Sequence, residues 1–236
     1  MKSLALLFGV LGVTALAGGT HAAPAPAPPA PFTATYQVER DGQDMGVATV
    51  TLQRADDGSW VYRKDVSGTK GLAALLNASM HESSRLRWHD GMPEALSYDY
   101  ELQALKRKQR HLQVDWAANQ VTVQDGKRDS SYPAEPGMVE RNTLPLALGL
   151  ALRQGQREVA LPVAVRQRVE RQQFKVVGTQ AVDVPAGHFD ALHVERTDAD
   201  RGFTAWYVPK RYPLPVKLAQ TEGGSMTMEL VSFTSS

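Results

Sequence analysis

The most strongly basic stretch of the chain is Lys106-Arg107-Lys108-Gln109-Arg110-His111. Read as a strand, its two-residue repeat places Lys106, Lys108 and Arg110 on one face and Arg107 and His111 on the other. Arg166, Arg168 and Arg171 fall in a later strand of like composition. A row of such cations suits an anionic glycan, a lipid headgroup or a phosphate-bearing ligand. It equally suits a solvated face that blocks pairing of strand edges between molecules. Glu170 and Glu195 are available to balance the charge.

Other residue types able to do chemistry do not assemble into a motif. Beyond residue 22 the histidines are His81, His89, His111, His188 and His193. A metal needs ligands that converge, whereas His188 and His193, five apart on a strand, point to opposite faces. His188 and Asp190 share a face, but two ligands do not make a site. His81-Glu82-Ser83-Ser84 holds histidine, acid and serine, yet on a strand they alternate faces, and a triad requires convergence in space. No G-x-S-x-G elbow is present. Gly68-Thr69-Lys70-Gly71 lacks the spacing of a phosphate loop. The acids Asp56-Asp57, Asp198 and Asp200 read as solvated turn residues. With no cysteine there is no thiol nucleophile, disulfide or thiolate metal site. The expectation is therefore no catalytic residue, no metal and no cofactor.

Aromatic side chains supply the other half of a binding surface. Trp60, Tyr62, Tyr98, Tyr100 and Trp206 each couple an apolar body to a polar tip, and on a curved sheet they could line a cleft for an acyl chain or a sugar. Trp88, Trp116 and Tyr207 belong to the same inventory, and core packing is the alternative for all of them. The candidate ligand-binding set is thus Trp60, Tyr62, Tyr98, Tyr100, Lys106, Lys108, Arg110 and Trp206.

The elements that must position these residues are mostly strands. Phe32, Ala34, Tyr36 and Val38 alternate with polar residues, and Asp41-Gly42 then turns the chain. Alternation continues over Met45 to Arg54, Ser59 to Ser67, Ser83 to Trp88, Leu96 to Leu102, Lys106 to Trp116 and Val121 to Val123. Asp56-Asp57-Gly58, His89-Asp90-Gly91, Asn119 and Asp125-Gly126 punctuate it. The second half predicts strands over Glu158 to Val163, Val165 to Val177, Gln180 to Val184, Phe189 to Thr197, Phe203 to Val208, Val216 to Thr221 and Ser225 to Phe233. Two stretches carry helical spacing instead. Gly71 to Asn77 reads as a short helix closed by Asn77. The other is capped by Asn142, has Pro145 in its first turn, and repeats Leu144, Ala147, Leu148, Ala151 and Leu152 up to Gly155. Roughly a dozen strands in a meander must curl. The predicted fold is all-β, a large curved antiparallel meander forming an open or incomplete barrel with two short helices.

Residues 1–22 read as a secretory signal peptide. Lys2 is followed by an apolar run from Leu4 to Ala17 and a small-x-small site at Thr20-His21-Ala22. The run is too short for a stable membrane span. Residues 23–31, APAPAPPAP, read as a polyproline-type tether, and 32–236 as one β-rich domain. The expected location is the periplasm, without a lipid anchor, since there is no cysteine to carry one. Export argues against cytosolic nicotinamide or ATP chemistry. The whole chain has 26 basic and 25 acidic residues. Removing Lys2 leaves equal numbers, and a balanced chain is not the profile of a nucleic-acid binder.

Val184-Pro185-Ala186-Gly187-His188-Phe189-Asp190-Ala191, Ala205-Trp206-Tyr207-Val208-Pro209 and Leu214-Pro215-Val216-Lys217-Leu218 resemble an exported bacterial family, the domain-of-unknown-function family numbered 3108. Phe32-x-Ala34-x-Tyr36 with Gly46, Lys70-Gly71-Leu72 and Asp115-Trp116 are similar to it as well. The resemblance covers about residues 32 to 233. It implies a signal peptide, a curled all-β meander, no established activity and no catalytic residue. It also implies an acid near the start of the second helix, where Arg141-Asn142-Thr143 stands.

These readings favour a non-enzymatic module that binds an amphipathic envelope component, lipid or glycan, or an envelope-assembly partner. One alternative is an envelope hydrolase whose residues meet only in the fold. Another is a scaffold that binds proteins by strand addition at an exposed edge.

Overall fold

The computed structural model describes residues 27–199, 202–221 and 225–235. The signal-peptide reading of residues 1–22 lies outside them.

Among the described residues, fifteen strands form one sheet. Its first wing is built from β1 (Phe32–Arg40), β2 (Gln43–Arg54), β3 (Trp60–Gly68), β4 (Ser79–His89), β5 (Met92–Gln103), β6 (Lys108–Asp115), β7 (Gln120–Asp125) and β8 (Arg128–Pro133). The second wing holds β9 (Val139–Glu140), β10 (Glu158–Ala164), β11 (Val169–Val184), β12 (Gly187–Arg196), β13 (Thr204–Tyr207), β14 (Pro215–Gln220) and β15 (Met226–Ser235). Helix α1 (Gly71–Leu75) follows β3, and α2 (Leu144–Arg153) follows β9.

Within each wing the strands neighbour in sequence order, and the wings join where β1 pairs antiparallel with β15. The first and last strands therefore lie mid-sheet, leaving β8 and β9 at the ends. The sheet is an incomplete barrel, as the alternation predicts. No ladder joins its ends. The phenol of Tyr132 instead donates to the Val165 carbonyl, and Ser130 Oγ donates to the Arg166 carbonyl at 2.5 Å. The curl has local causes. Register shifts at Val38/Glu39, Arg85/Leu86 and Val176/Gly178 insert an extra residue and tighten the twist. Asp41-Gly42 and Asp90-Gly91 turn hairpins with both φ values positive, the geometry that matches strand twist.

Helix α2 explains why so wide a sheet stays curled. Leu144, Leu146, Ala147, Leu148, Gly149, Leu150, Ala151 and Leu152 are all buried. The spacing predicts one apolar stripe, but Leu146 and Leu150 close the remaining faces, so the helix is a plug through the core rather than a cover. Each such leucine contributes about 1.5–3 kcal/mol by leaving water. Gly149 permits the plug to seat, because a Cβ there would lie 2.0 Å from the Pro213 carbonyl oxygen. The Tyr207 hydroxyl donates to the Pro145 carbonyl at 3.0 Å, tying β13 to the helix.

Several expected boundaries are corrected. The strand expected from Lys106 begins at Lys108, and Lys106 precedes it in a bend. Arg166 and Arg168 lie in the turn between β10 and β11 rather than in a strand. Val165 to Val177 and Gln180 to Val184, read as two strands, are one 16-residue strand carried across Gly178 by a bulge. The N-cap of α2 is Thr143, not Asn142, and it makes no side-chain cap bond. Asn142 is buried and donates instead to Ser84 Oγ at 2.9 Å.

Candidate functional site

Strand register aligns a polar row across the inner face of the first wing. Lys64 pairs with Glu82, Glu82 with Tyr100, Tyr100 with Arg110, Arg110 with Asp125, and Asp125 with Arg128. The adjacent row, Tyr62, Ser84, Tyr98, Leu112 and Val123, is buried core. Charge is thus threaded beside apolar packing, which requires partners at each step.

Glu82 supplies the inner end of that row. It is fully buried, forms an ion pair with Lys64 and another with Arg141 at 3.4 Å, and accepts from the Tyr98 hydroxyl at 2.6 Å. Burial opposes its charge, but Lys64 and Arg141 outweigh burial and hold the carboxyl below its ordinary 4.5. Desolvation, with Glu82 nearby, pushes the Tyr98 phenol far above its usual range.

A second buried acid sits at the entrance to α2. Glu140 accepts from the backbone N–H of Asn142 at 2.7 Å and of Thr143 at 3.1 Å, and from Thr143 Oγ1 at 2.7 Å. Its carboxylate therefore caps a helix whose N-cap side chain does not. Burial dominates here, and the Glu140 pKa lies above its ordinary value. The first turn of α2 holds no acid, and Glu140 lies one residue ahead of Arg141-Asn142-Thr143. By holding the N–H groups of Asn142 and Thr143, it fixes the backbone that follows Arg141.

The row ends at the seam between β8 and the β10–β11 turn, in a cleft of about 640 Å³. Arg110, Arg128, Arg141, Arg166, Arg168 and Arg196 line it, against the acids Asp125, Asp129 and Glu170. Leu112, Leu144, Val163 and Phe203 form its apolar wall. Arg110 and Arg166 both reach Asp125 Oδ2, at 3.2 and 2.9 Å. Arg110 and Arg141 lie over the Tyr100 ring, 5.7 and 5.8 Å from its centroid. Burial disfavours the Arg141 charge, but Glu82 offsets it and the guanidinium is held firmly protonated.

A second depression, of about 530 Å³, lies over β3–β7 and gathers Asp65, His81, Ser83, Asp99 and His111. These residues alternate out of phase with the inner row. His81 Nδ1 lies 2.7 Å from Asp65, and His111 Nδ1 lies 2.7 Å from Asp99. Among the described residues no serine hydroxyl bonds to either imidazole, and no group of three His, Asp or Glu is placed to hold a metal ion.

The expected site residues divide. Tyr98, Tyr100 and Arg110 meet on the inner face beside the cleft. Trp60 and Tyr62 are buried in the main core, with Trp60 edge-to-face on Trp88. Lys108 and Lys106 are exposed outside the cleft. Trp206 is on the opposite face, stacked on His193 at 5.0 Å and donating to Gln180 Oε1 at 2.9 Å. Sequence reasoning missed Glu82, Asp125, Arg128, Glu140, Arg141 and Arg196. Only strand register gathers them, and no spacing in the chain announces it.

The family model for DUF3108, a protein of unknown function, matches residues 32–231. The chain belongs to the DUF3108 family. The stretches read as resembling it at Val184–Ala191, Ala205–Pro209 and Leu214–Leu218 fall in β11–β14 of this DUF3108 chain, those at Phe32–Tyr36, Gly46 and Asp115-Trp116 fall in the first wing, and none lines the cleft. A solved structure with a similar outline is the beta-barrel-like protein of domain of unknown function DUF1849 from Brucella abortus. It is 11% identical, with a TM-score of 0.46, and the match covers 89% of this chain and 99% of that one. No curated protein matches the chain.

Proposed function

We propose that this DUF3108 chain is an exported, non-enzymatic binding module that holds an amphipathic component of the cell envelope, lipid or glycan, with its anionic group in the arginine cleft. One observation carries the reading: among the described residues six arginines from five segments face one cleft of a chain whose total charge is nearly balanced. Convergence on that scale is costly without a counter-ion. The inside of the curled sheet is filled by α2, so the ligand's apolar part rests on the wall of Leu112, Leu144, Val163 and Phe203 rather than within the barrel. Periplasmic location rests on residues 1–22 as a cleaved signal peptide, with residues 23–31 as a tether and 32–236 as the binding domain. Among the described residues no helix is long and apolar enough to cross a membrane.

The test is capture. Mature protein, delipidated and refolded, is offered fractions of an envelope extract and followed by native mass spectrometry and thermal melting. A bound species and a raised Tm are expected. No bound species and no shift with any fraction would overturn the proposal. Among the described residues the His81–Asp65, His111–Asp99 and His188–Asp183 pairs give the hydrolase alternative its foothold. A His81→Ala, His111→Ala, His188→Ala triple variant that keeps full cellular function removes it.

A further inference from the structure

We infer that the cleft is built for a phosphoryl group of more than one negative charge, such as a phosphate monoester or a pyrophosphate. This names the chemistry recognised by the proposed module and rests on that reading.

Among the described residues the cations of the cleft are all arginines. Arginine offers a planar fork of donors that stays charged when partly buried, where lysine offers a point charge that titrates. The forks approach from different sides. Arg110 comes from β6, Arg141 from the link between β9 and α2, and Arg166 from the β10–β11 turn. Sharing of Asp125 Oδ2 and of the Tyr100 ring brings these three together. A carboxylate is planar and is satisfied by one fork. A tetrahedral phosphoryl group presents oxygens in three directions and matches donors arriving that way.

Charge counting points the same way. Among the described residues Arg110, Arg141 and Arg166, with Lys64 at the inner end of the row, are ion-paired to Glu82 and Asp125, a surplus of two cations. Arg110 also keeps an unused donor, since its Nε is buried without a hydrogen-bond partner. Buried donors without acceptors are rare because they are costly. A cavity of about 640 Å³ exceeds what a phosphoryl group fills, leaving room for the sugar or glyceride that bears it.

Titration calorimetry of the mature protein with sodium pyrophosphate tests the inference, with sodium sulfate and sodium acetate as competitors. Pyrophosphate should bind at least about tenfold more tightly than either, and Arg166→Gln should weaken it by about tenfold, a loss typical of one charge-assisted contact. Arg166 is mostly exposed, so that variant should fold, and Arg110→Lys adds a change that keeps the charge but loses the fork. Two arms identify the source. Co-sedimentation with phosphatidic acid vesicles, but not phosphatidylcholine vesicles, in an Arg166-dependent manner assigns a lipid headgroup. Pyrophosphate binding without vesicle binding assigns a soluble or sugar phosphate. Pyrophosphate binding no tighter than sulfate, or unaffected by both arginine variants, overturns the inference. If the envelope extract still yields a cleft-bound species in that case, the binding-module reading stands with a different ligand chemistry.

Discussion

The two wings of the sheet curve around one helix but show it different surfaces. The second wing is apolar over most of its inner face, and turns polar at Glu170, Gln172 and Arg196 where it meets the cleft. Phe174, Val176, Val182, Phe189, Ala205, Tyr207 and Leu218 join α2 in the main core, with Phe174 edge-to-face on Phe203 at 5.3 Å. In the first wing the row from Lys64 to Arg128 crosses the inner face, and beyond it lies a separate, smaller core of Tyr98, Leu112, Val121, Val123, Tyr132 and Met138. Buried charge costs stability unless each ion is paired. The second wing thus contributes mainly to cohesion and the first accepts a weaker core, while both bring arginines to the seam, Arg110 and Arg128 from the first and Arg166, Arg168 and Arg196 from the second. The stretches that resemble the family lie in both wings, at Phe32–Tyr36, Gly46 and Asp115-Trp116 in the first and at Val184–Ala191, Ala205–Pro209 and Leu214–Leu218 in the second, and none of them lines the cleft, so they report the frame rather than the chemistry.

Substitutions can sharpen or break this contrast. The largest effect is expected from Gly149→Leu, which drives a side chain into the Pro213 carbonyl and unseats the plug. A loss above about 5 kcal/mol is expected, beyond ordinary overpacking and sufficient to unfold a typical domain. Chemical denaturation should show no cooperative folded baseline. Next is Phe189→Ala in the second wing, which packs on Tyr212 away from the cleft and is expected to cost about 3–5 kcal/mol in urea unfolding while leaving cleft affinity unchanged. A change in affinity there would mean that the core of the second wing and the cleft are not functionally separate.

In the polar wing, Glu82→Gln leaves Lys64 and Arg141 without their shared acid and should cost about 3 kcal/mol near neutral pH. Glu82 and Glu140 then predict opposite pH behaviour. Glu82 has a depressed pKa in the folded state, so its stabilisation is present above the ordinary 4.5 and is lost as pH falls through the folded value. Glu140 has a raised pKa, so the folded state holds that proton more tightly. Its contribution is largest below 4.5 and is lost as pH rises through the folded value. Unfolding free energies measured against pH should show the difference between wild type and Glu82→Gln shrinking in acid. The wild-type advantage attributable to Glu140 protonation, read against Glu140→Gln, should grow. The smallest effect is expected from Lys106→Ala with Lys108→Ala. Both side chains are exposed outside the cleft, so stability should move by less than about 0.5 kcal/mol and calorimetric affinity should not change.

Much of the frame was legible in the sequence. Phe32, Ala34, Tyr36 and Val38 alternate because one face is buried, and all four are core. Asp41-Gly42 and Asp90-Gly91 are turns because aspartate and glycine tolerate the positive φ values found there. Alternation reports which face of a strand is wet, but not which strand lies beside it. The pairing of β1 with β15, and the register that aligns Glu82 with Arg110, are long-range facts with no local signature. The expected basic stripe was therefore cut short: Arg110 reached the cleft, while Lys106 and Lys108 did not. For Trp206 the aromatic residue type was visible, but not its place on the opposite face. For Glu140, beside the expected helix cap, nothing in the sequence indicated that its carboxylate would be buried and cap the helix.

Hydrogen exchange of the mature protein, with and without the envelope fraction that raises its Tm, tests most directly whether the seam is where ligand sits. Binding at the cleft predicts slowed exchange in β8 and across residues 163–170, with β13 around Trp206 unchanged. Protection centred on β13, or none at the seam while the ligand is bound, would contradict it.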